Sequence, residues 1–263
     1  MVGDRLQVRW PVVNKHAIVD VHGVLLGRQH YDASPPGDLI SGLREAGYSV
    51  HIVTNSSSIT AVDLASELVA NGVPVCASDV VTMAMVAAHR LSSIGVSEVA
   101  VIGSDVLRAE LERLVPDLKI VEVGESEVLL VTRDPALTEG TLDRIRRLPP
   151  RRIFATCKDA IFADASGIHA GPGATVRRVE LAAGREAILV GKPDPYMITE
   201  YLGLRGDDLD TAVVIGDSLT EDAELAERAG CRALIIGTPE VTSCDLLNVA
   251  RLDQALDILR GIE

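Results

Sequence analysis

Ala17-Ile18-Val19-Asp20-Val21-His22-Gly23-Val24-Leu25 runs from an apolar stretch into an aspartate, with a glycine three residues further on. A short apolar run of this kind fits a strand buried on both faces, and the glycine lets the chain turn sharply after it. An open α/β sheet presents a reactive carboxylate in this way, at the C-terminal end of a strand. Asp20 says what chemistry to look for, and His22, between it and the glycine, says that the chemistry is modified.

Outward from this stretch, strand-like and helix-like segments alternate along nearly the whole chain, which predicts βα units and mostly parallel sheets. His16–Asp20 reads as the first strand, Asp38–Ala46 as a helix stopped by Gly47, and Ser49–Thr54 as a strand ending in Asn55-Ser56-Ser57-Ser58. Ala61–Ala70 is a helix closed by Asn71-Gly72. A second alternating set follows: helices over 79–94, 105–114 and 138–147, and strands over 98–102, 128–131 and 152–155. Beyond Gly171-Pro172-Gly173 come helices over 174–183, 195–202, 222–229 and 252–259 and strands over 188–190, 212–215 and 233–236, the last closing the sheet. The expected fold class is α/β: a Rossmann-like, doubly wound parallel sheet, built from residues 1–75 plus 171–263, with an α/β domain inserted over 76–170.

At 263 residues the chain can bury one large core or two modest ones, and with aromatics at 3% those cores are aliphatic. A net charge of −13 argues against nucleic acid as partner, and it leaves the capture of an anion to local positive charge. Cys76, Cys157, Cys231 and Cys244 are widely spaced with no CxxC pair, which fits a reduced, cytoplasmic protein better than a disulfide scaffold or zinc site. No apolar run reaches membrane-spanning length, and the N-terminus, with Asp4, Arg5 and Trp10, lacks a signal-peptide core.

Four polar segments each follow an apolar run: Asp20-Val21-His22-Gly23, Thr54-Asn55-Ser56, Gly191-Lys192-Pro193-Asp194, and Gly216-Asp217-Ser218-Leu219-Thr220-Glu221-Asp222. Loops at the C-terminal ends of strands in a doubly wound sheet converge on one crevice. The crevice would then hold two or three carboxylates, one lysine and a hydroxyl–amide pair. That is equipment for phosphoryl transfer: carboxylate oxygens for a hard divalent cation, lysine to balance phosphate charge, hydroxyl and amide donors for the non-bridging oxygens, and a carboxylate nucleophile. Taken singly, each residue also has an ordinary reading. Asp20 or Thr54-Asn55 can be turn formers, Lys192 a solvated loop residue and Asp222 a helix-start aspartate.

In order and spacing these four segments resemble the four motifs of the haloacid dehalogenase superfamily. The insertion between the second and third resembles its subfamily with a large α/β cap, which includes p-nitrophenylphosphatase-like, NagD-like and pyridoxal phosphate phosphatase-like enzymes. Ala155-Thr156-Cys157-Lys158-Asp159 and Val190-Gly191-Lys192-Pro193-Asp194-Pro195-Tyr196-Met197 extend the likeness. The resemblance implies a phosphatase acting on a small phosphorylated metabolite, with Asp20 as the nucleophile that forms an aspartyl-phosphate. It implies Mg²⁺ held by Asp20, Asp217 and the His22 backbone carbonyl. Thr54, Asn55 and Ser56 would bind phosphoryl oxygens, Lys192 would offset their charge, and Asp222 would orient Lys192 or metal waters. Substrate contacts fall near Arg133, Lys158 and Asp159, although Cys157 and Lys158 depart from the Asn or Asp and Pro usual in relatives. Homodimerisation through the cap is also common among them.

His22 stands where such phosphatases carry a second aspartate, the general acid and base, a function typically worth ~10²–10⁴-fold. Three readings are open. The imidazole, with an unperturbed pKa of ~6.5, takes over both proton transfers; or the function is lost and the chain is a feeble or non-catalytic binder of a phosphorylated ligand; or the bond cleaved is a different one. Val101-Ile102-Gly103-Ser104 lacks the full dinucleotide-binding fingerprint.

Overall fold

The computed structural model describes residues 15–27, 35–164, 167–237, 246–249 and 252–260. The chain begins with β1 (Lys15–Asp20), α1 (Pro36–Glu45), β2 (Tyr48–Val53), α2 (Ala61–Ala70) and a two-residue β3 (Val80–Val81). Then come α3 (Met83–Ser93), β4 (Glu98–Ile102), α4 (Asp105–Leu114), β5 (Lys119–Val121), β6 (Val128–Val131), α5 (Glu139–Arg147) and β7 (Arg152–Ala155). A hairpin of β8 (Ile161–Asp164) and β9 (Gly167–Ala170) precedes α6 (Pro172–Ala183) and β10 (Ile188–Leu189). The chain ends with α7 (Asp207–Asp210), β11 (Val213–Gly216), α8 (Glu224–Ala229), β12 (Arg232–Ile236), β13 (Leu246–Val249) and α9 (Leu252–Arg260).

These strands form two parallel sheets, of order β13-β12-β11-β1-β2-β3 and β10-β7-β6-β4-β5, beside the antiparallel β8–β9 hairpin. The opening apolar run is therefore central to the first sheet, between β11 and β2. Strand side chains alternate between faces, and β1 shows why both must be apolar. Ala17 and Val19 pack with Leu39, Leu43, Leu64 and Leu68 of α1 and α2, whereas Ile18 faces Met83, Val86, Met197 and Leu225. The second sheet repeats the scheme: Val99, Val101 and Phe154 pack toward α3 and α4, and Ala100, Ile102 and Ile153 toward α5 and α6. A fully buried aliphatic side chain contributes about 1.5–3 kcal/mol, so the many Leu, Ile and Val residues compensate for the scarcity of aromatics. Thr60 and Thr138 cap α2 and α5, their side chains accepting from the N–H groups of Asp63 and Thr141.

The structure corrects the sequence reading in four places. Val80–Val81 pairs with β2, inside the span expected to be helical over 79–94, and the helix starts only at Met83. The first sheet does not close at Ile236, because β13 pairs beyond β12. Strand β5 and the β8–β9 hairpin lie in stretches where no element was expected. The boundaries 76 and 170 also shift. The pair Val80–Val81 belongs to the first sheet, whereas Val176 and Val179 of α6 pack on the second and β10 pairs with β7. An amphipathic helix advertises an apolar face but not which sheet will cover it.

Candidate active site

Lys192 is the centre of the site. Its ammonium donates to Asp20 Oδ1 at 2.6 Å and to Asp222 Oδ1 at 2.7 Å, and all three side chains are buried. The lysine follows β10, so it arrives from the edge of the second sheet, not the first. Gly191 permits the approach: a Cβ there would stand 2.1 Å from the Thr156 carbonyl oxygen, beyond β7. Asp20 ends β1, and Asp222 is delivered by a wide helical turn after β11, in which the Ala223 N–H reaches back five residues to the Ser218 carbonyl at 3.1 Å. The second oxygen of Asp222 accepts from the N–H groups of Asp217 and Ser218, both at 3.2 Å.

Burial disfavours the charged forms of Asp20 and Lys192, and the ion pair between them opposes it. For Asp20 burial dominates, reinforced by Asp222 and Asp217 and opposed by Lys192, and the carboxyl is pushed up to about 7. For Lys192 burial pulls downward, but the charges of Asp20 and Asp222 outweigh it and hold the ammonium above its ordinary range. The lysine is thus a fixed positive charge beneath the carboxylate.

Carboxylate oxygens of Asp20, Asp217 and Asp222 lie within 4.8 Å of one another, which suits a hard cation. Hydrogen bonding divides the three. Both oxygens of Asp222 are committed to protein donors, whereas Asp20 commits Oδ1 to the lysine. Asp222 is therefore tied to the lysine and to the Asp217–Ser218 backbone rather than open to an ion. Gly23 makes room for Asp217: it has φ +80°, and a Cβ there would lie 1.9 Å from Asp217 Oδ2. Gly23→Ala is expected to add about 1–2 kcal/mol of left-handed backbone strain and to push that carboxylate aside. Thermal melting checks this: the melting temperature of the variant falls below that of wild type.

Above the cluster opens a cavity of about 570 Å³, lined by Asp20, His22, Thr54, Asn55, Ser56, Arg133, Asp159, Lys192, Asp217 and Glu221 among others. His22 is exposed on this wall, and Thr54 is buried at its base. The Thr54 hydroxyl accepts from the Ser56 N–H at 3.1 Å, and the Ser57 and Thr132 hydroxyls meet at 2.9 Å, joining the loops after β2 and β6. The arrangement differs from expectation in two side chains. Asn55 does not turn its amide to an open phosphate cradle: Oδ1 accepts from the Lys192 N–H at 2.9 Å, and Nδ2 faces Glu221 Oε2 at 3.3 Å. Lys158 does not line the cavity, because its ammonium is paired with Glu180 at 2.8 Å. Arg133 does line it, while its Nε–H donates to the Ala170 carbonyl at 2.9 Å.

Glu221 had no expected role. Burial first, then its hydrogen bond with Asp159, pushes its carboxyl up to about 9 against the opposing pull of Lys192. Cys157 beside it donates to Asp159, and burial followed by that carboxylate raises the thiol well above its usual range. Cys76 and Cys231 are free thiols as well, whereas Cys244 falls outside the described residues.

A profile of haloacid dehalogenase-like hydrolases matches residues 17–114, and one described as HAD-hydrolase-like matches residues 189–260. The D-glycerol 3-phosphate phosphatase of Mycobacterium tuberculosis is 29% identical over 228 residues, 84% of this chain. This chain spans only 62% of that relative's length. The ribonucleotide monophosphatase NagD of Escherichia coli K12 is 26% identical over 226 residues, 84% of this chain and 87% of its own. Among solved structures, the p-nitrophenyl phosphatase from Archaeoglobus fulgidus superimposes with a TM-score of 0.77 at 22% identity, covering 93% of this chain and 99% of that one.

Proposed function

The chain belongs to the haloacid dehalogenase-like hydrolases, in their NagD-like and p-nitrophenylphosphatase-like branch, and on that footing we propose that it is a Mg²⁺-dependent phosphatase of small phosphorylated metabolites. The observation that carries this reading is the buried lysine bridging Asp20 and Asp222 at the floor of a cavity that also holds Asp217 and Thr54. The phosphatases named above support it.

Asp20 is the nucleophile: one carboxylate oxygen attacks phosphorus, the bond to the leaving oxygen breaks, and an aspartyl-phosphate forms. His22 protonates the departing oxygen. The neutral imidazole then takes a proton from water as that water attacks the aspartyl-phosphate, releasing phosphate and restoring Asp20. Lys192 compensates the negative charge gathered at Asp20 and the phosphoryl oxygens. The Thr54 hydroxyl and the Ser56 segment bind those oxygens, while Asn55 acts indirectly by fixing the Lys192 backbone. Asp20 and Asp217, with the His22 carbonyl, are the residues to hold Mg²⁺, which supplies further charge neutralisation when bound. Residues of the second sheet, Arg133 and Asp159 above all, face the leaving group and give that half of the protein the part of a cap.

A panel of phosphorylated metabolites assayed with Mg²⁺ for phosphate release tests this proposal, and saturable binding without release from any of them would make the chain a binder. His22→Asp is expected to retain or raise turnover, because either side chain can carry the proton. A loss in kcat as large as that caused by Asp20→Asn would contradict the proton-transfer role.

A further inference from the structure

The loop that carries Lys192 is bracketed by one helix, α3. Val190, just before the lysine, shares a core with Ala84, Ala87, Ala88 and Leu91 of that helix. Tyr196 and Met197, just after it, share another with Met83 and Val86. The C-terminal end of α3 adds a polar grip. His89 and Ser93 lie one turn apart, and both reach the Tyr196 phenol, His89 Nδ1 at 2.9 Å and Ser93 Oγ at 3.1 Å. The Arg90 guanidinium lies 4.6 Å over the centre of the Tyr196 ring, and the Tyr201 ring meets the imidazole edge-on with centroids 5.5 Å apart. Tyr196 is buried, so its hydroxyl depends on these partners.

Proton counting sets the direction of the chain of bonds. The Ser93 hydroxyl donates to the Arg90 carbonyl at 2.9 Å, and a hydroxyl has one proton to give. Tyr196 therefore donates to Ser93, and His89 donates to Tyr196 through a protonated Nδ1. From the tyrosine the tie continues to the lysine. The Tyr196 N–H donates to Asp194 Oδ1 at 3.0 Å, and the Asp194 N–H donates to the Gly191 carbonyl at 2.9 Å, closing the loop around Lys192.

We propose that His89 is a positioning residue: through the Tyr196 hydroxyl it fixes the C-terminal end of the Lys192 loop, as Asn55 fixes the N-terminal end. Neither His89 nor Tyr196 is among the residues lining the cavity over Asp20, so their effect on turnover passes through the loop. Lys192 must reach Asp20 and Asp222 at once, and slack in its loop weakens the charge compensation of the nucleophile, lowering kcat more than it changes KM. The kinetic consequence rests on the phosphatase reading; the ordering of the loop does not.

The test compares His89→Ala, His89→Asn and Tyr196→Phe with wild type. His89 is exposed, so its replacement leaves the cores alone, and phenylalanine keeps the buried ring and loses only the hydroxyl. Asparagine places an amide N–H where the ring Nδ1–H stood, whereas alanine offers no donor. The first readout is backbone hydrogen exchange, by mass spectrometry, of the peptide spanning residues 190–198. Exchange there is expected to quicken about fivefold in His89→Ala and Tyr196→Phe, with the asparagine variant close to wild type. The second readout is turnover of p-nitrophenyl phosphate with Mg²⁺. In the same two variants kcat is expected to fall about fivefold with KM within about twofold, and His89→Asn to recover most of the loss. Combining His89→Ala with Tyr196→Phe should do no more harm than either alone, because both cut one tie. Unchanged exchange in the 190–198 peptide, an asparagine variant as impaired as the alanine one, or fully additive losses would overturn the proposal. So would a lower melting temperature with unaltered kcat, the mark of a purely structural contact. Should wild type release no phosphate from any phosphorylated compound, the phosphatase reading fails while the exchange still decides whether His89 orders the loop.

Discussion

Replacing Asp20 by asparagine is expected to abolish phosphate release, lowering kcat by at least about 10⁴-fold while leaving the fold in place. Asparagine has the shape of aspartate and an amide oxygen in the position of Oδ1, so Lys192 keeps an acceptor there and retains Asp222 at 2.7 Å. What is lost is the carboxylate that attacks phosphorus. A neutral side chain also relieves the crowding of Asp20, Asp217 and Asp222, so the effect on stability is expected to be small. Steady-state assays paired with thermal melting separate these outcomes. A variant that melts like wild type, still binds a phosphorylated ligand and does not turn over is the expected result.

Lys192→Met is expected to damage both activity and stability. Methionine fills much of the aliphatic volume but leaves the carboxylates of Asp20 and Asp222 buried without their cation. Removing one partner of a buried ion pair typically costs about 3–5 kcal/mol, although uptake of a proton by Asp20 can recover part of it. Burial has already pushed Asp20 up to about 7 with the lysine present, so without it the carboxyl is driven higher still and the nucleophile is neutral at pH 7. The loss of kcat should therefore approach that of Asp20→Asn, accompanied by a clear fall in melting temperature. Toward pH 5, below the value of about 7 to which Asp20 is pushed, its carboxyl takes up a proton in the folded wild type as it does in the variant. The stability difference should therefore narrow there, and it should widen as the pH rises to 8. Denaturant unfolding of both proteins across pH 5 to 8 checks this sign.

The parts of the fold that can be read from the sequence are those where local chemistry and tertiary role coincide. The run ending at Asp20 is buried on both faces because it is the middle of a sheet, and its apolar character announces as much. Thr54 and Asp217 likewise sit where polar loops follow apolar strands. Val80–Val81 is too short to show a period, so only its pairing with β2 identifies it as a strand. The helix after Gly171-Pro172-Gly173 was recognisable as a helix, but its assignment to the second sheet depends on where Val176 and Val179 find cover. In the site, the partners that matter are remote in sequence. Asn55 reads as a phosphate ligand until the Lys192 backbone occupies its amide, Lys158 as a substrate contact until Glu180 takes it, and Glu221 as a loop acid until Asn55 donates to it.

The most direct test of the account is to stop a single turnover chemically and locate the phosphoryl group. Wild type mixed with Mg²⁺ and a phosphorylated substrate from the panel, quenched in acid and digested, should carry a hydroxylamine-labile phosphoryl group on the peptide containing Asp20, and Asp20→Asn should carry none. Phosphate release with no modified Asp20 peptide, or a phosphoryl group found on His22 instead, would contradict the central claim.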